Sequence, residues 1–219
     1  MLQKLSEEKQ TEILEAGISE FAQHGLERTA MKDIAQRAGV SVGAIYKYYG
    51  NKEAFFFACL TRSLGVLEEE LQKMLSKQDK PLGYARQLVK TLRWFSREHG
   101  DHIRLYHKLT GEDRYADALC RKIEGMTSRL YVDFIRQAQK NGDMRSDLDP
   151  ALGAFFFDNL LMMMQFSYSC PYYQERFRLY CGDTAQEDDE YVAEQLLAFL
   201  ESAFTFEKNQ ISHRKEEEK

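Results

Sequence analysis

Apolar side chains recur at helical spacing along most of the chain, and no stretch shows the strict alternation of a half-buried strand. The first such stretch covers residues 6–24, where Ile13, Ile18 and Phe21 fall on one face of a helix. Ser6 supplies a capping hydroxyl at its start, and Gly25 can end it. With only three prolines in 219 residues, this pattern predicts an all-α protein.

Polar breaks rich in glycine, asparagine or proline divide the rest of the chain into further helices. A long helix is expected at residues 51–76, and it would bridge an N-terminal and a C-terminal domain. Pro171 should kink or break the long helix that follows residue 150. The chain as a whole is expected to hold about nine helices, with the later ones near residues 81–98, 101–109, 115–140, 150–180 and 187–206.

Residues 29–52 have the sequence of two short helices joined by a tight turn, which is a helix-turn-helix. Thr29 is expected to cap the first helix and Ser41 the second. Gly39 suits the turn because glycine adopts the left-handed conformation without a Cβ penalty. Ile45 would hold the second helix against the first. This arrangement presents one helix to the major groove of DNA.

The charge distribution supports a nucleic-acid partner more than the total charge does. The net charge is −5, whereas residues 29–52 carry a net +3. Lys32 lies in the first turn of one helix and Lys52 opens the next, where a cation is mildly unfavourable. A phosphate docked at each helix end would reverse that effect. Two solvated lysines are the alternative, but their joint position beside the helix-turn-helix favours phosphate contacts.

The same residues resemble a known family. The pattern from Ile34 to Glu53, Ile-Ala-x-x-Ala-Gly-Val-Ser-x-Gly-x-Ile-Tyr-x-Tyr-Tyr-x-x-Lys-Glu, is similar to the signature of the TetR family of bacterial transcriptional regulators. Tyr49 stands where the family usually has Phe, and Ala30 where a second Thr is common. The resemblance implies an N-terminal DNA-binding domain and a divergent C-terminal domain for ligand binding and dimerisation. We expect these domains at residues 1–50 and 51–207, followed by a charged, disordered tail at 208–219.

The resemblance and the side-chain chemistry together predict how DNA is contacted. Lys52 and Tyr48 should bind phosphates, and Lys47 is the best candidate to read guanine. Val42 and Ala44 could contact thymine methyl groups. The DNA-binding residues are expected to be Thr29, Lys32, Ser41, Val42, Gly43, Ala44, Tyr46, Lys47, Tyr48 and Lys52.

Residues 152–173 are apolar nearly all round, so a helix there should be buried on most sides. A dimer interface on one side and a ligand cavity on another would explain this; a plain dimer core is the alternative. Asp158 is costly to bury without a partner, and either structural hydrogen bonds or a polar ligand group could satisfy it. In a two-fold four-helix bundle, the last helix would contribute its apolar stripe, Leu196, Leu197, Leu200 and Phe204.

A cavity in this domain would be mostly aromatic and methionine-lined, which favours a hydrophobic or amphipathic small molecule. An anionic head group would need Arg93, Arg104 or Lys108 nearby; if these point to solvent, a neutral or cationic compound is favoured. The ligand-binding residues are expected to be Trp94, Phe95, Tyr106, Met126, Phe155, Asn159, Met162 and Phe166.

Other function classes have little support in the sequence. The four cysteines are widely spaced, and no metal-ligand spacing, phosphate loop or nucleophile–base pair is present, so neither a metal, a cofactor nor an enzyme is expected. No signal peptide opens the chain, which points to a cytoplasmic protein. The prediction is a dimeric, ligand-responsive repressor that binds a palindromic operator. A constitutive or protein-partnered DNA binder is the main alternative, and a helical ligand-binding or catalytic protein a weaker one.

Overall fold

The computed structural model describes residues 5–75, 81–111, 121, 124–183 and 188–205, and all regular secondary structure in these ranges is helical. The all-α prediction is therefore confirmed. Ten helices are described, one more than expected, because the segment at residues 150–180 is two helices. The helices are α1 (Glu7–Arg28), α2 (Met31–Arg37), α3 (Val42–Tyr49), α4 (Lys52–Leu75), α5 (Pro81–Glu98), α6 (Gly100–Thr110), α7 (Gly125–Lys140), α8 (Pro150–Ser169), α9 (Pro171–Cys181) and α10 (Asp189–Phe204).

The first helix begins where the sequence predicts, and at Gly25, where its end is expected, it kinks and continues to Arg28. The Oγ of Ser6 accepts a hydrogen bond from the backbone N–H of Lys9 at 3.2 Å. Gly25 has φ 74° and ψ 174°, so the regular helix stops there and one further turn runs to Arg28. A side chain with a Cβ would be strained at this φ, and glycine is therefore the residue that permits the kink.

The kink also changes the role of Thr29. Its hydroxyl donates to the carbonyl oxygen of Gly25 at 2.6 Å and lies 3.2 Å from that of Glu20. The N-cap of α2 is Ala30, which offers no side-chain hydrogen bond. The prediction that Thr29 caps α2 is therefore wrong: the kinked end of α1 leaves carbonyl groups that this buried hydroxyl satisfies.

The N-terminal core forms where α1 crosses the start of α4. Phe55 and Phe56 are buried there, and their rings lie 5.9 Å and 5.0 Å from the ring of Phe21. The helices approach closely because Gly17 faces Phe55 and the thiol of Cys59. The far half of α4, including Leu67, packs on the C-terminal core. One rigid element therefore contacts both ends of the molecule, as the bridging-helix prediction requires.

The helix α6 also belongs to the N-terminal core. Leu105 and Leu109 are buried in the same cluster as α1, α2, α3 and the start of α4. Packing around the helix-turn-helix therefore draws on residues beyond position 50. The domain division at residues 50 and 51 stays a prediction.

The C-terminal core is built by α5, α7, α8 and α10. The rings of Phe157 in α8 and Phe204 in α10 meet edge to face, with centroids 6.0 Å apart. Asp149 caps α8 by accepting from the backbone N–H groups of Ala151 and Leu152, each at 2.9 Å. The predicted break at Pro171 is confirmed, since α8 ends at Ser169 and α9 begins at Pro171.

In the single chain, Leu152, Phe155 and Phe156 of α8 are more than half exposed, so the expected burial of this side depends on the dimer interface, which stays a prediction. The expectation for the last helix is wrong in part: Leu197 and Phe204, expected at a dimer interface, are buried in the core of one protomer. Because α8 is apolar on every side, its sequence does not show which residues face the core and which face outward. The predicted residues 115–120 of the seventh helix and the tail at 208–219 lie outside the described residues.

Candidate functional site

The helix-turn-helix is held by its turn. Gly39 has φ 63°, and the backbone N–H of Val40 donates to the carbonyl oxygen of Ala35 at 2.9 Å. Ser41 caps α3, as predicted, by accepting from the backbone N–H of Ala44 at 3.1 Å. Ile45 is fully buried and is the residue that seats α3 on the core. The helix is thereby fixed by one side of its surface, and the other side is free for a partner.

The outward side of this unit presents two unpaired cations. Lys32 and Lys47 are exposed, and neither has an ion-pair partner among the described residues. Tyr46 is 38% exposed beside them. By contrast, Arg37 is paired with Glu20 at 3.2 Å. Of the remaining predicted DNA contacts, Ser41 and Gly43 are exposed, Val42 and Ala44 are half-buried, and Thr29 is buried away from the surface.

Lys52 and Tyr48 already have contacts within the chain. The Nζ of Lys52 donates to the carbonyl oxygen of Glu27 at 3.0 Å, which ties the start of α4 to the end of α1. The backbone N–H of Leu5 donates to the hydroxyl oxygen of Tyr48. Both contacts leave donors over, because an ammonium has three N–H groups and the phenol keeps its own proton. Neither side chain is therefore excluded from binding a phosphate.

A cavity lies among α4, α5, α6, α7 and α8. The space open to the centres of water-sized molecules is about 110 Å³. Its lining is apolar over most of its surface, with polar groups from four of the helices and from Glu124, which directly precedes α7. The lining residues are Leu60, Ser63, Leu64, Leu67, Leu71, Leu92, Phe95, His102, Ile103, Tyr106, Glu124, Thr127, Tyr131, Asp158, Leu161, Met162, Gln165 and Phe166.

The cavity includes half of the residues expected at a ligand site. Phe95, Tyr106, Met162 and Phe166 line it, whereas Trp94, Phe155 and Asn159 do not. Trp94 is 44% exposed on the outer side of α5, and Phe155 is 62% exposed. The side-chain amide of Asn159 donates to the carbonyl oxygen of Phe155 at 2.7 Å, on that outer face of α8. These three side chains therefore lie outside the cavity, and the Met126 side chain lies outside the described part of the structure.

The polar lining was largely missed from the sequence. Asp158 and Gln165 each lie one turn from Met162 on α8, on opposite sides of it along the helix, so all three face the same way. Ser63 and His102 come from α4 and α6. Only Asp158 carried a signal, as a carboxylate in an apolar segment. The others look like ordinary surface or core positions until the helices are assembled.

Burial leaves several of these polar atoms without partners. Ser63 Oγ, His102 Nδ1 and Gln165 Oε1 are buried and make no hydrogen bond. The hydroxyl of Tyr106 donates to Glu124. Burial, with repulsion from Glu124, raises the pKa of Asp158 to about 6. A bound molecule can form hydrogen bonds with these polar atoms, whereas the apolar walls of the cavity cannot.

His102 also connects this cavity to the N-terminal core. Its Nε2 lies 3.2 Å from Oε2 of Glu15 on α1. The Nε of Arg62 on α4 lies 3.4 Å from the other carboxylate oxygen. The hydrogen bond from His102 and the proximity of Arg62 lower the pKa of Glu15. The imidazole is thus shared between the cavity wall and a helix of the DNA-binding half.

Other chemistry has no geometric support in the described ranges. No three His, Cys, Asp or Glu side chains there are grouped to hold a metal ion. Cys59 and Cys170 are buried free thiols and Cys181 is an exposed one, while Cys120 lies outside those ranges. The described helices include none that is long and apolar enough to cross a membrane.

Comparison with known proteins places the helix-turn-helix among regulators. Residues 13–59 match the family model of bacterial regulatory proteins, tetR family. A relative from Escherichia coli K12, named "Probable acrEF/envCD operon repressor", is 29% identical over 145 residues. That match spans 63% of this chain and 66% of the relative, just under two thirds of its length.

Solved structures extend the likeness to most of the chain. The ketosteroid transcriptional regulator KstR2 of Mycobacterium tuberculosis superimposes with a TM-score of 0.64 at 24% identity, covering 93% of this chain and 98% of that one. AibR, solved in complex with isovaleryl coenzyme A and operator DNA, gives 0.65 at 19% identity, covering 88% and 97%. At these identities the likeness establishes a shared fold, including the C-terminal helices.

Proposed function

Because the chain belongs to the TetR family of bacterial transcriptional regulators, we propose that it is a dimeric repressor that a small molecule releases from its operator. The observation that carries this proposal is the position of α4. Its first turns pack beneath the helix-turn-helix through Phe55 and Phe56, and its middle and far turns supply Leu60, Ser63 and Leu67 to the cavity wall. A ligand that changes the cavity wall must therefore act on the helix that supports α3.

The DNA-binding surface is the outward side of α2 and α3. Lys32 and Lys47 are exposed and unpaired within the described ranges, so phosphate or base contacts would cost no internal ion pair. We assign Lys32 to a phosphate and Lys47 to a guanine edge or a nearby phosphate. Lys52 and Tyr48 add phosphate contacts through the N–H and O–H donors that their hydrogen bonds within the chain do not use.

Binding to DNA is tested by selecting bound sequences from random duplexes and measuring affinity against salt. Lys32→Ala should weaken binding to every sequence and flatten the slope of log affinity against log salt by about one unit. Lys47→Ala should also relax selectivity at one base position. Lys140→Ala is the matched control, since this exposed lysine lies at the end of α7. Equal slopes for all three variants would remove α2 and α3 from the interface.

Dimerisation is assigned to the exposed apolar side of α8 together with α10. Leu152, Phe155 and Phe156 on α8 and Phe199 on α10 are each more than half exposed. The inward rings of Phe157 and Phe204 meet at 6.0 Å, so the start of α8 and the end of α10 contact each other within one protomer. Two copies of this pair would form a four-helix bundle and bury the aromatic side chains, which suits a two-fold interface and a palindromic operator.

Ligand response is tested on the selected operator by fluorescence anisotropy. Compounds that raise the melting temperature of the DNA-free protein should also release operator DNA, because the ligand must prefer the DNA-incompetent state. A hundredfold preference would be worth about 2.7 kcal/mol per site. Compounds that stabilise the protein without releasing DNA, or a complete lack of ligands, would leave a constitutive DNA-binding protein as the function.

A further inference from the structure

We infer that the cavity among α4 to α8 is a site for a small molecule with a positively charged amino group on an apolar body, anchored by Asp158 with Glu124. This inference rests on the proposed function for its regulatory meaning, since it names the chemical class of the effector. The binding itself is a separate property of the cavity and can be measured without DNA.

The first support is the sign of the fixed charge. Asp158 and Glu124 line the cavity, and no Lys or Arg does so among the described residues. The arginines that could have balanced an anionic ligand are engaged elsewhere. Arg93 lies 3.3 Å from Glu190, and Arg104 donates to Asp101 and to the carbonyl oxygen of Ser169. An anionic head group would meet two carboxyl groups and no counterion.

The second support is the excess of buried acceptors. Gln165 Oε1 is buried without a partner, and it faces the same cavity as the half-buried Asp158. Ser63, which is only 4% exposed, has an unpartnered Oγ in the same cavity wall. Acceptors left dry in this way cost free energy that a donor-rich ligand would recover. A protonated amine offers up to three N–H donors, whereas a carboxylate offers none.

Helix geometry brings these groups together. Asp158, Met162 and Gln165 share one side of α8, and Thr127 follows Glu124 by three residues at the start of α7. One carboxyl group therefore lies on α8 and the other directly before α7, and these two helices pack on each other. Their proximity is consistent with the raised pKa of Asp158. Burial and the nearby charge of Glu124 both disfavour the ionised form of this carboxyl group. A bound cation would relieve both effects at once.

The remaining walls suit the rest of such a molecule. Tyr106 and Phe166, whose ring centroids are 6.2 Å apart, stand in the lining and can attract a cation through their faces. Leu64, Leu67 and Leu71 on α4 offer aliphatic surface for an apolar body. The open space of about 110 Å³ is small beside the several hundred Å³ typical of drug sites, so the ligand is compact or widens the cavity.

The test compares three probes with one skeleton: 4-phenylbutylamine, 4-phenylbutan-1-ol and 4-phenylbutyrate. Calorimetric titration into the full-length, DNA-free protein at pH 8 should rank the amine first, ~10-fold or more above the alcohol, and the carboxylate last. Asp158→Asn should remove most of the preference for the amine while keeping the affinity for the alcohol. Lowering the pH to 5 should act in the same direction, because Asp158 then takes up a proton.

Controls separate a lost anchor from a damaged fold. Asp133→Asn removes an exposed carboxylate from α7 and should leave the ranking unchanged. Glu124→Gln gives a second, independent reduction of the preference for the amine.

A carboxylate that binds as tightly as the amine, or an amine preference unchanged in Asp158→Asn, would overturn the inference. No binding by any probe, with operator binding intact, would also overturn it and leave the DNA-binding proposal standing. Amine binding without operator release would retain the site and remove its regulatory role.

Discussion

A methyl group at position 17 would test the close crossing of α1 and α4. A Cβ built at Gly17 would lie 2.6 Å from Cys59 Sγ and 2.7 Å from two ring atoms of Phe55, where ordinary contacts are 3.4–4 Å. Both neighbours are fully buried and cannot swing into solvent. The helices would therefore have to separate by roughly 1 Å at a packed crossing.

The expected result is a net loss of stability in Gly17→Ala. Overpacking costs typically about 1–3 kcal/mol, and three contacts under 3 Å place this site at about 2–3 kcal/mol; the better helix propensity of alanine returns about 1 kcal/mol, which leaves a net loss of roughly 1–2 kcal/mol. Gly65→Ala in α4 is the matched control, since no atom lies within 4 Å of its added Cβ. That variant should gain roughly 0.5–1 kcal/mol from propensity alone.

Urea denaturation followed by far-ultraviolet circular dichroism, at one fixed protein concentration, measures both variants. A double variant, Gly17→Ala with Cys59→Ala, should recover part of the loss, because it removes the nearest clashing atom. If Gly17→Ala were as stable as the parent while Gly65→Ala gained stability, the crossing would not be as close as described. The reasoning about α1 and α4 would then be refuted.

Three further predictions follow from burial. Asp158→Asn should raise the free energy of unfolding at pH 8 by on the order of 2–3 kcal/mol and by little near pH 4. The reason is that the raised pKa of Asp158 makes the folded wild type lose stability as pH rises from about 4 to 6. Denaturation at both pH values measures this difference, and an equal difference at both would contradict the prediction. Phe156→Glu should weaken the dimer in sedimentation experiments, whereas Gln137→Glu on α7 should not. Alkylation mapped by mass spectrometry should modify Cys181 in the native protein and Cys59 only after unfolding, because burial also raises the pKa of the Cys59 thiol; native-rate labelling of Cys59 would be the contrary result.

Local signals in the sequence were enough to predict the helix-turn-helix. Ser6 and Ser41 cap the helices expected of them, and Gly39 takes the left-handed turn. Each of these features depends on residues within one or two turns. The role of Thr29 was missed because it depends on the conformation of Gly25, four residues earlier, which redirects the hydroxyl toward α1.

Facial assignments in the C-terminal half could not be predicted in the same way. An apolar helix such as α8 has no polar side to orient it, so Phe155 and Phe157 look alike in the sequence although one is exposed and the other buried. The polar lining of the cavity depends on contacts between distant helices. Asp158 could be singled out as a carboxylate in an apolar segment, whereas the role of Gln165 in the cavity wall follows only from the folded structure.

The shared imidazole of His102 links ligand binding to the tautomer of one ring. When neutral and donating from Nε2 to Glu15, the ring can only accept at Nδ1, so a ligand that donates there preserves the existing contact. A ligand that accepts a hydrogen bond at Nδ1 would favour the other tautomer of the ring, which carries its N–H on Nδ1 and no longer donates to Glu15. The choice of tautomer would then link ligand chemistry to the DNA-binding half, and nitrogen chemical shifts of the ring would distinguish the two tautomers.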